Sequence, residues 1–134
     1  MTRIFIVDDH PVMRRVLRTL LEREADLMIC GEATTAEEAL AQAATAEPDL
    51  VLIDVSLPGM SGIELARELQ ERHPDLPLAM FSGHNTGSHV DQALKAGARG
   101  YILKERANEL PAAIRQILRG ERYVSPEIGE PDQK

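Results

Sequence analysis

Short apolar runs alternate five times along the chain with longer segments in which apolar residues recur at intervals of three and four. Runs of this length, rich in β-branched and aliphatic residues, predict strands, and the three-and-four spacing predicts amphipathic helices. The predicted strands are Ile4–Val7, Leu27–Gly31, Leu50–Asp54, Leu78–Ser82 and Gly100–Leu103. The helical stripes that follow them in turn lie within Val12–Leu21, Ala36–Ala43, Ile63–Leu69, Val90–Leu94 and Leu110–Leu118.

The predicted helix ends carry residues that suit those positions. Pro11 fits a first helical turn, where a backbone N–H would lack a partner in any case. Ser61 stands three residues before Glu64, which is the spacing of a capping box. Pro111 is tolerable only in a first turn, so we expect the last helix to begin near Ala107.

Strands that are apolar throughout are buried on both faces, which indicates a parallel sheet covered by helices on each side. Five βα units predict an α/β, doubly wound fold whose five-stranded sheet has the flavodoxin-like order 2-1-3-4-5. We place the domain at residues 1–122. Residues 123–134, which are polar and contain Pro and Gly, are expected to form a loose tail or the start of a linker.

Composition narrows the classes of function. The 134 residues fit one domain, and the net charge of −7 disfavours direct binding to nucleic acid by this chain. The single cysteine, Cys30, excludes an internal disulfide and is expected to be an inert core thiol. No apolar stretch approaches the ~20 residues of a membrane span, and acidic residues interrupt the N-terminal apolar run. We therefore expect a cytoplasmic protein without membrane contact.

Chemically active side chains fall at the ends of four predicted strands. In an open parallel sheet, ligands bind beyond the carboxyl ends of the strands, where the strand order reverses. The residues at these ends, from strand 1 to strand 5, are Asp8, Asp9, Asp54, Ser82 and Lys104. We therefore expect three carboxylates, a hydroxyl and an ammonium group to share one crevice.

Three carboxylates in a partly desolvated crevice repel one another, and a hard divalent cation would relieve the repulsion. Mg²⁺ is favoured, because proteins hold it with one or two carboxylates plus water and phosphate oxygens. Asp54 could then attack a phosphoryl donor, with Lys104 and Ser82 binding the phosphoryl oxygens. Each residue alone is more often a turn former, a cap or a surface residue, so the inference depends on their joint occurrence.

The motifs that carry these residues resemble those of the receiver domain of bacterial two-component response regulators. They are Val7-Asp-Asp-His-Pro11, Leu52-Ile-Asp-Val-Ser-Leu-Pro-Gly-Met-Ser-Gly62, Phe81-Ser-Gly83 and Gly100-Tyr-Ile-Leu-Lys104. The likeness runs from Arg3 to about Ser125. It is closest to the branch that usually carries a LuxR-type helix-turn-helix, which suggests a role in transcription regulation.

The resemblance implies a role for each acidic residue. Asp54 would be the phosphoacceptor and a ligand of Mg²⁺. Asp9 would bind the ion directly, and Asp8 would act through water. The backbone carbonyl of Ser56 would complete the protein ligands.

The remaining implied roles concern the phosphoryl group and the response to it. Lys104 and Ser82 would bind the phosphoryl oxygens. Ser82 and Tyr101 would form a switch, in which the hydroxyl moves toward the phosphoryl group and the ring follows inward. On this reading the chain is a phosphoacceptor that catalyses only its own phosphorylation and dephosphorylation, and not otherwise an enzyme.

The family also implies partners. The phosphoryl donor would be a sensor histidine kinase or a phosphotransfer protein, and phosphorylation could control a homodimer through the fourth and fifth or the first and fifth helices. The arginines of the first helix, Arg14, Arg15 and Arg18, would form either a docking face for a partner helix or a simple solvated face. The output would come from a domain outside this chain or from contacts with other proteins.

Other readings fit the sequence less well. A haloacid-dehalogenase-type phosphatase would need Asp-x-Asp after strand 1, whereas the chain has Asp8-Asp9-His10. Neither glycine-rich nucleotide-binding motif is present. A pseudo-receiver that only binds partners would be expected to lack Asp54 or Lys104. We expect His10 at the surface or in a capping role, with a part in shaping the site as the alternative.

Overall fold

A single parallel sheet forms the centre of the computed structural model, which describes residues 1–83 and 87–125. Its order is β2-β1-β3-β4-β5-β6, and every pair of neighbours is parallel. The strands are β1 (Thr2–Val7), β2 (Leu27–Ala33), β3 (Leu50–Asp54), β4 (Leu78–Ser82), β5 (Gly100–Leu103) and β6 (Tyr123–Val124). The predicted fold class and strand order are confirmed, with a short sixth strand in addition.

Helices cover both faces of the sheet. They are α1 (Pro11–Glu22), α2 (Ala36–Ala46), α3 (Gly62–Arg72), α4 (Gly87–Lys95) and α5 (Leu110–Leu118). One apolar cluster joins the sheet to α2, α3 and α4, and a second joins its other face to α1 and α5. Alternate residues of a strand point to opposite faces, so Phe5 enters the first cluster and Ile6 enters the second. This double burial explains why the strands are apolar throughout.

The helix ends follow the predicted capping residues in most cases. The Ser61 side chain accepts a hydrogen bond from the Glu64 N–H, and the Glu64 side chain accepts one from the Ser61 N–H. Pro111 lies in the first turn of α5. However, α5 begins at Leu110 rather than near Ala107, because a 3₁₀ segment occupies Lys104–Glu109.

The sheet also extends past the predicted boundary at residue 122. Tyr123 and Val124 pair with Gly100 and Tyr101, so β6 covers the outer edge of β5. An uncovered β5 would leave backbone groups without partners, which explains why two residues of this segment join the sheet. Residues 126–134, the rest of the predicted tail, lie outside the described residues.

Two smaller expectations concern Cys30 and membranes. Cys30 is only partly buried and packs against the α2–α4 side of the core. Burial raises the pKa of its thiol, which favours the less reactive protonated form. Within the described ranges, no helix combines the length and the apolar character needed to cross a bilayer.

The capping box at the start of α3 generates a stability prediction. Ser61→Ala removes the acceptor for the Glu64 N–H and should lower the free energy of unfolding by about 1 kcal/mol, measured by urea denaturation. Thr45→Ala, which removes an exposed hydroxyl within α2, is the control and should cause no loss. Equal stability of Ser61→Ala and the parent protein would show that the cap contributes nothing.

Candidate functional site

Strand register brings the predicted site residues together at one edge of the sheet. Val7 of β1 lies beside Ile53 of β3, so the residues that follow them, Asp8 and Asp54, emerge side by side. On the other side of β3, Asp54 pairs with Phe81 of β4. The next pairing, Ser82 with Leu103, places the end of β5 at the same edge. The crevice expected from the sequence is therefore present.

Asp54 stands at the centre of this crevice, and its carboxylate is almost completely buried, with the residue 2% exposed. Its Oδ1 accepts a hydrogen bond from the Ser56 N–H at 2.9 Å, and its Oδ2 accepts one from Lys104 Nζ at 3.1 Å. Lys104 Nζ also lies 3.8 Å from Asp8 Oδ2. One ammonium group thus faces two buried carboxylates.

Asp8 lies in an environment that is unfavourable for a negative charge. The residue is 1% exposed, and burial raises the pKa of its carboxyl above the ordinary value of 3.8. The negative charge of Asp54 raises this pKa further, whereas the hydrogen bond from the His10 N–H and the charge of Lys104 lower it. Burial is the largest of these effects, so the ionised form of Asp8 is held in the folded protein at a cost in free energy.

His10 belongs to the site, which the sequence left as the less favoured alternative. Its Nδ1 lies 3.0 Å from Asp8 Oδ1, 3.2 Å from Asp9 Oδ1 and 3.6 Å from Asp54 Oδ2. It occupies the N-cap position of α1, but its side chain makes no capping hydrogen bond there. The His10 side chain is 57% exposed, so the expected surface position is confirmed, whereas the expected capping role is wrong. Because α1 begins at Pro11, His10 lies just outside the helix, at the edge of the crevice. This position directly before the helix was the sequence feature that pointed to a role for His10 in the site.

Two of the three arginines of α1 turn toward β1 and β2 and do not form an open basic face. The Arg14 guanidinium donates to the Asp8 carbonyl at 2.7 Å and pairs with Glu32. Arg18 pairs with both Glu22 and Glu32. Arg14 therefore holds the backbone that carries Asp8, a role that its position on an amphipathic helix did not reveal.

Lys104 is oriented by the residues around it. It follows β5 directly, as the first residue of the 3₁₀ segment, and its side chain is 22% exposed. Its Nζ lies 5.9 Å from the centre of the Phe81 ring, within the range of a cation–π contact. Phe81 was not predicted as part of the site, because an apolar strand residue gives no signal of such a contact.

Ser82 and Tyr101, the predicted switch pair, are adjacent and completely buried. Burial raises the pKa of the Tyr101 hydroxyl, and a hydrogen bond with the Ser82 side chain opposes that effect. The ring already lies inside the protein in this structure. The buried hydroxyls thus satisfy each other, as buried polar groups require.

Gly62, the first residue of α3, packs directly against the backbone of Asp54. A Cβ at this position would lie 2.1 Å from the Asp54 carbonyl oxygen, a distance that backbone atoms cannot accept without moving. The Gly62 N–H also donates to the Val55 carbonyl at 3.0 Å. A glycine here lets α3 begin close enough to fix the strand end that carries Asp54.

The acidic cluster suits a hard cation. Ligand atoms of Asp8, Asp9, His10 and Asp54 all lie within 4.8 Å of one another. Asp8 Oδ2 and Asp9 Oδ1 are buried and accept no hydrogen bond from the described residues. Buried acceptors without donors are costly, and carboxylate oxygens are the ligands that Mg²⁺ prefers. The residues present therefore fit a magnesium ion.

Comparison with known proteins agrees with this geometry. Residues 4–115 match the family described as response regulator receiver domain. The chain is 36% identical over 131 residues to the response regulator GacA of Pseudomonas protegens, covering 97% of this chain and 62% of that protein. It is 39% identical over 118 residues to the transcriptional activator DevR/DosR of Mycobacterium tuberculosis, covering 87% and 54%.

A solved structure is similar over almost its whole length. This two-component response regulator of the LuxR family, from Aurantimonas sp. SI85-9A1, is 38% identical, with a TM-score of 0.91 and coverage of 96% of this chain and 93% of that one. The chain belongs to the response regulator receiver domain family, and its relatives include transcription regulators of the LuxR branch. The chain spans 62% of the length of GacA and 54% of the length of DevR/DosR.

The burial of Asp8 generates a prediction about stability. In EDTA at pH 7, Asp8→Asn should raise the free energy of unfolding, because it removes a buried charge beside Asp54. The raised pKa means that the folded state binds this proton more tightly than the unfolded state does. The penalty is therefore complete at neutral pH, diminishes as the pH falls through the raised pKa of the folded state, and is absent below the unfolded value of 3.8.

Urea denaturation at pH 7 and at pH 4 measures this effect. Adding Mg²⁺ should stabilise the parent more than the Asp8→Asn variant, because an ion that binds only the folded state stabilises it by mass action. A variant that is less stable than the parent in EDTA at pH 7 would contradict the account of Asp8.

Proposed function

We propose that this receiver domain accepts a phosphoryl group on Asp54 in a Mg²⁺-dependent reaction, with a sensor histidine kinase or a phosphotransfer protein as the donor. The observation that carries the proposal is the buried Asp54 carboxylate, 3.1 Å from Lys104 and next to two further aspartates that each have a buried oxygen accepting no hydrogen bond from the described residues. A structural ion pair would need Asp54 and Lys104 but would not need the other two carboxylates.

Asp54 acts as the nucleophile. One carboxylate oxygen attacks phosphorus, and the new P–O bond forms as the donor's P–N bond, or the acyl P–O bond of acetyl phosphate, breaks. The leaving histidine or acetate takes the bonding electron pair. The hydrogen bonds from Ser56 and Lys104 to the two Asp54 oxygens hold the carboxylate in one orientation before the donor arrives.

The metal ligands in this proposal are Asp9, Asp54 and the backbone carbonyl of Ser56, with Asp8 acting through water. When bound, Mg²⁺ offsets the charge of the carboxylates and of the phosphoryl oxygens. Asp8 Oδ2 and Asp9 Oδ1, which are buried and accept no hydrogen bond from the described residues, support this assignment. Arg14, through the Asp8 carbonyl, holds the chain that presents both residues.

Lys104 and Ser82 bind the phosphoryl oxygens. The Lys104 ammonium already points at Asp54, so it can follow the transferred charge with little movement. Ser82 ends the neighbouring strand, and its hydroxyl can exchange the hydrogen bond with Tyr101 for one with a phosphoryl oxygen. Ser82 and Tyr101 thereby form the proposed switch, which converts a local charge change into a change of packing.

The exposed face of α1 supports a docking role for the donor. Val12 is 66% exposed and Val16 is 43% exposed, and together with Leu20 they form an apolar stripe at helical spacing. Arg15 and Arg23 border this stripe. The face is therefore apolar at its centre and basic at its margin, a composition that suits a helix of a partner protein.

The output of the switch is proposed to be transcription regulation. One relative, DevR/DosR, is a DNA-binding transcriptional activator, and this chain spans only part of its length. Phosphorylation would act on an output domain, on a partner protein or on a homodimer of the receiver.

Loss of the acceptor carboxylate tests the central step. Asp54→Asn should fold normally, because the amide oxygen can still accept from the Ser56 N–H, yet it should take up no label from acetyl phosphate and Mg²⁺. Labelling is measured by intact-protein mass spectrometry. The matched control is Asp75→Asn, an exposed position between α3 and β4, which should label like the parent. A labelled Asp54→Asn variant would mean that the acceptor is another residue.

Docking can be separated from chemistry by a change on α1. Val16→Glu should slow phosphoryl transfer from any histidine kinase that labels the parent by about tenfold, since a charge would enter the apolar stripe. Labelling by acetyl phosphate, which needs no docking, should be unchanged. Ala41→Glu, on the exposed side of α2, is the control. Unchanged transfer to Val16→Glu would remove α1 from the docking proposal.

A further inference from the structure

The segment that follows α5 is attached to the end of β5 by polar contacts as well as by strand pairing. Ser125 is 2% exposed, although it is a polar residue at the end of the described chain. Its N–H donates to the Tyr101 carbonyl at 3.0 Å, and its Oγ accepts from the Leu103 N–H at 3.1 Å. Ser125 therefore bonds to the backbone of the proposed switch residue and to the residue that precedes Lys104.

A second contact lies on the other side of Lys104. The Tyr123 hydroxyl donates to Glu109 Oε1 at 2.7 Å, and Glu109 ends the 3₁₀ segment that Lys104 begins. Arg106, within that segment, also pairs with Glu109. The chain is therefore held on both sides of Lys104. Ser125 binds Leu103, directly before it, and Tyr123 of β6 binds Glu109, five residues after it.

The direction of β6 adds to this arrangement. Because β6 is parallel to β5, its carboxyl end lies at the same edge of the sheet as Asp54 and Lys104. Ser125 occupies the next position beyond the strand. Its side-chain hydrogen bond with the Leu103 N–H is therefore made at the edge of the sheet that carries the site.

We propose that Ser125 is a positioning residue for the phosphoryl site: its hydroxyl fixes the end of β5 so that Lys104 is held toward Asp54. The inference rests on the proposed function, since Lys104 is assigned there to the phosphoryl oxygens. Without the hydroxyl, the Leu103 N–H loses its acceptor in a buried place, and the end of β5 is free to shift.

The contact has one consequence for the site. The ammonium group of Lys104 meets the phosphoryl oxygens but is not a metal ligand. Its displacement therefore weakens binding of the phosphoryl group and does not weaken binding of the metal, whose carboxylate ligands Lys104 partly neutralises.

The test uses the full chain and beryllofluoride as a phosphoryl mimic. Ser125→Ala should weaken the affinity for beryllofluoride, measured by calorimetry at saturating Mg²⁺, by between about twofold and tenfold, as expected for one lost hydrogen bond. The Mg²⁺ affinity of the same variant should not be lower than that of the parent. Ser125→Thr retains the hydroxyl and should restore the parental affinity for beryllofluoride. Thr45→Ala is the control and should behave like the parent in both measurements.

A purely structural role for Ser125 would lower the melting temperature of Ser125→Ala and leave both affinities of the folded protein unchanged, and that result would overturn the proposal. If Ser125→Ala does not fold, Tyr123→Phe tests the same coupling through Glu109. The expected weakening and the result that would contradict it are the same.

A parent that neither binds beryllofluoride nor takes up label from acetyl phosphate would refute the proposed function and this inference together. Failure of the inference alone would appear as a parent and a Ser125→Ala variant with equal affinities.

Discussion

Electrostatic repulsion among three aspartates, held at one edge of the sheet and opposed by one lysine, is the constraint on which the rest of the structure depends. Asp8 and Asp54 are buried where water cannot screen their charges, and only Lys104 among the described residues offers an ammonium group to both. The free protein therefore carries unfavourable charge–charge and desolvation energy. A site of this kind gains free energy from a bound cation and responds strongly when the charge on Asp54 changes.

The fold supplies the rigidity that this arrangement requires. Strand register sets the spacing between Asp8 and Asp54, the close start of α3 at Gly62 fixes the Asp54 backbone, and Arg14 fixes that of Asp8. On the other side, β6 and Ser125 hold the end of β5. In our proposal, this framework responds to a change of charge at Asp54 by exchange of the Ser82–Tyr101 hydrogen bond.

Much of the fold could be predicted from the sequence because its strands are buried on both faces and its site residues stand at strand ends. The limits of β3, β4 and β5 were predicted as the structure has them. The sixth strand was missed because two residues in a polar segment give no periodic signal, and their pairing depends on the free edge of β5.

At the site, too, prediction succeeded where residue type was informative and failed where only folding creates the contact. Charged side chains at strand ends are recognisable in the sequence, and the structure brings four of them together: Asp8, Asp9, Asp54 and Lys104. His10 and Phe81 contribute through distances that exist only after folding, and a sequence pattern does not encode these distances. The metal and phosphoryl roles of the site residues stay predictions that the geometry supports.

The most direct test of the proposed site is a crystal structure of the chain with beryllofluoride and with Mn²⁺ in place of Mg²⁺. Anomalous scattering locates the manganese ion without ambiguity. We expect one manganese ion, coordinated by oxygens of Asp9, Asp54 and the Ser56 carbonyl. We also expect a beryllofluoride group on Asp54 that contacts Lys104 Nζ. An ion bound elsewhere, or a beryllofluoride group on a residue other than Asp54, would contradict the proposed site.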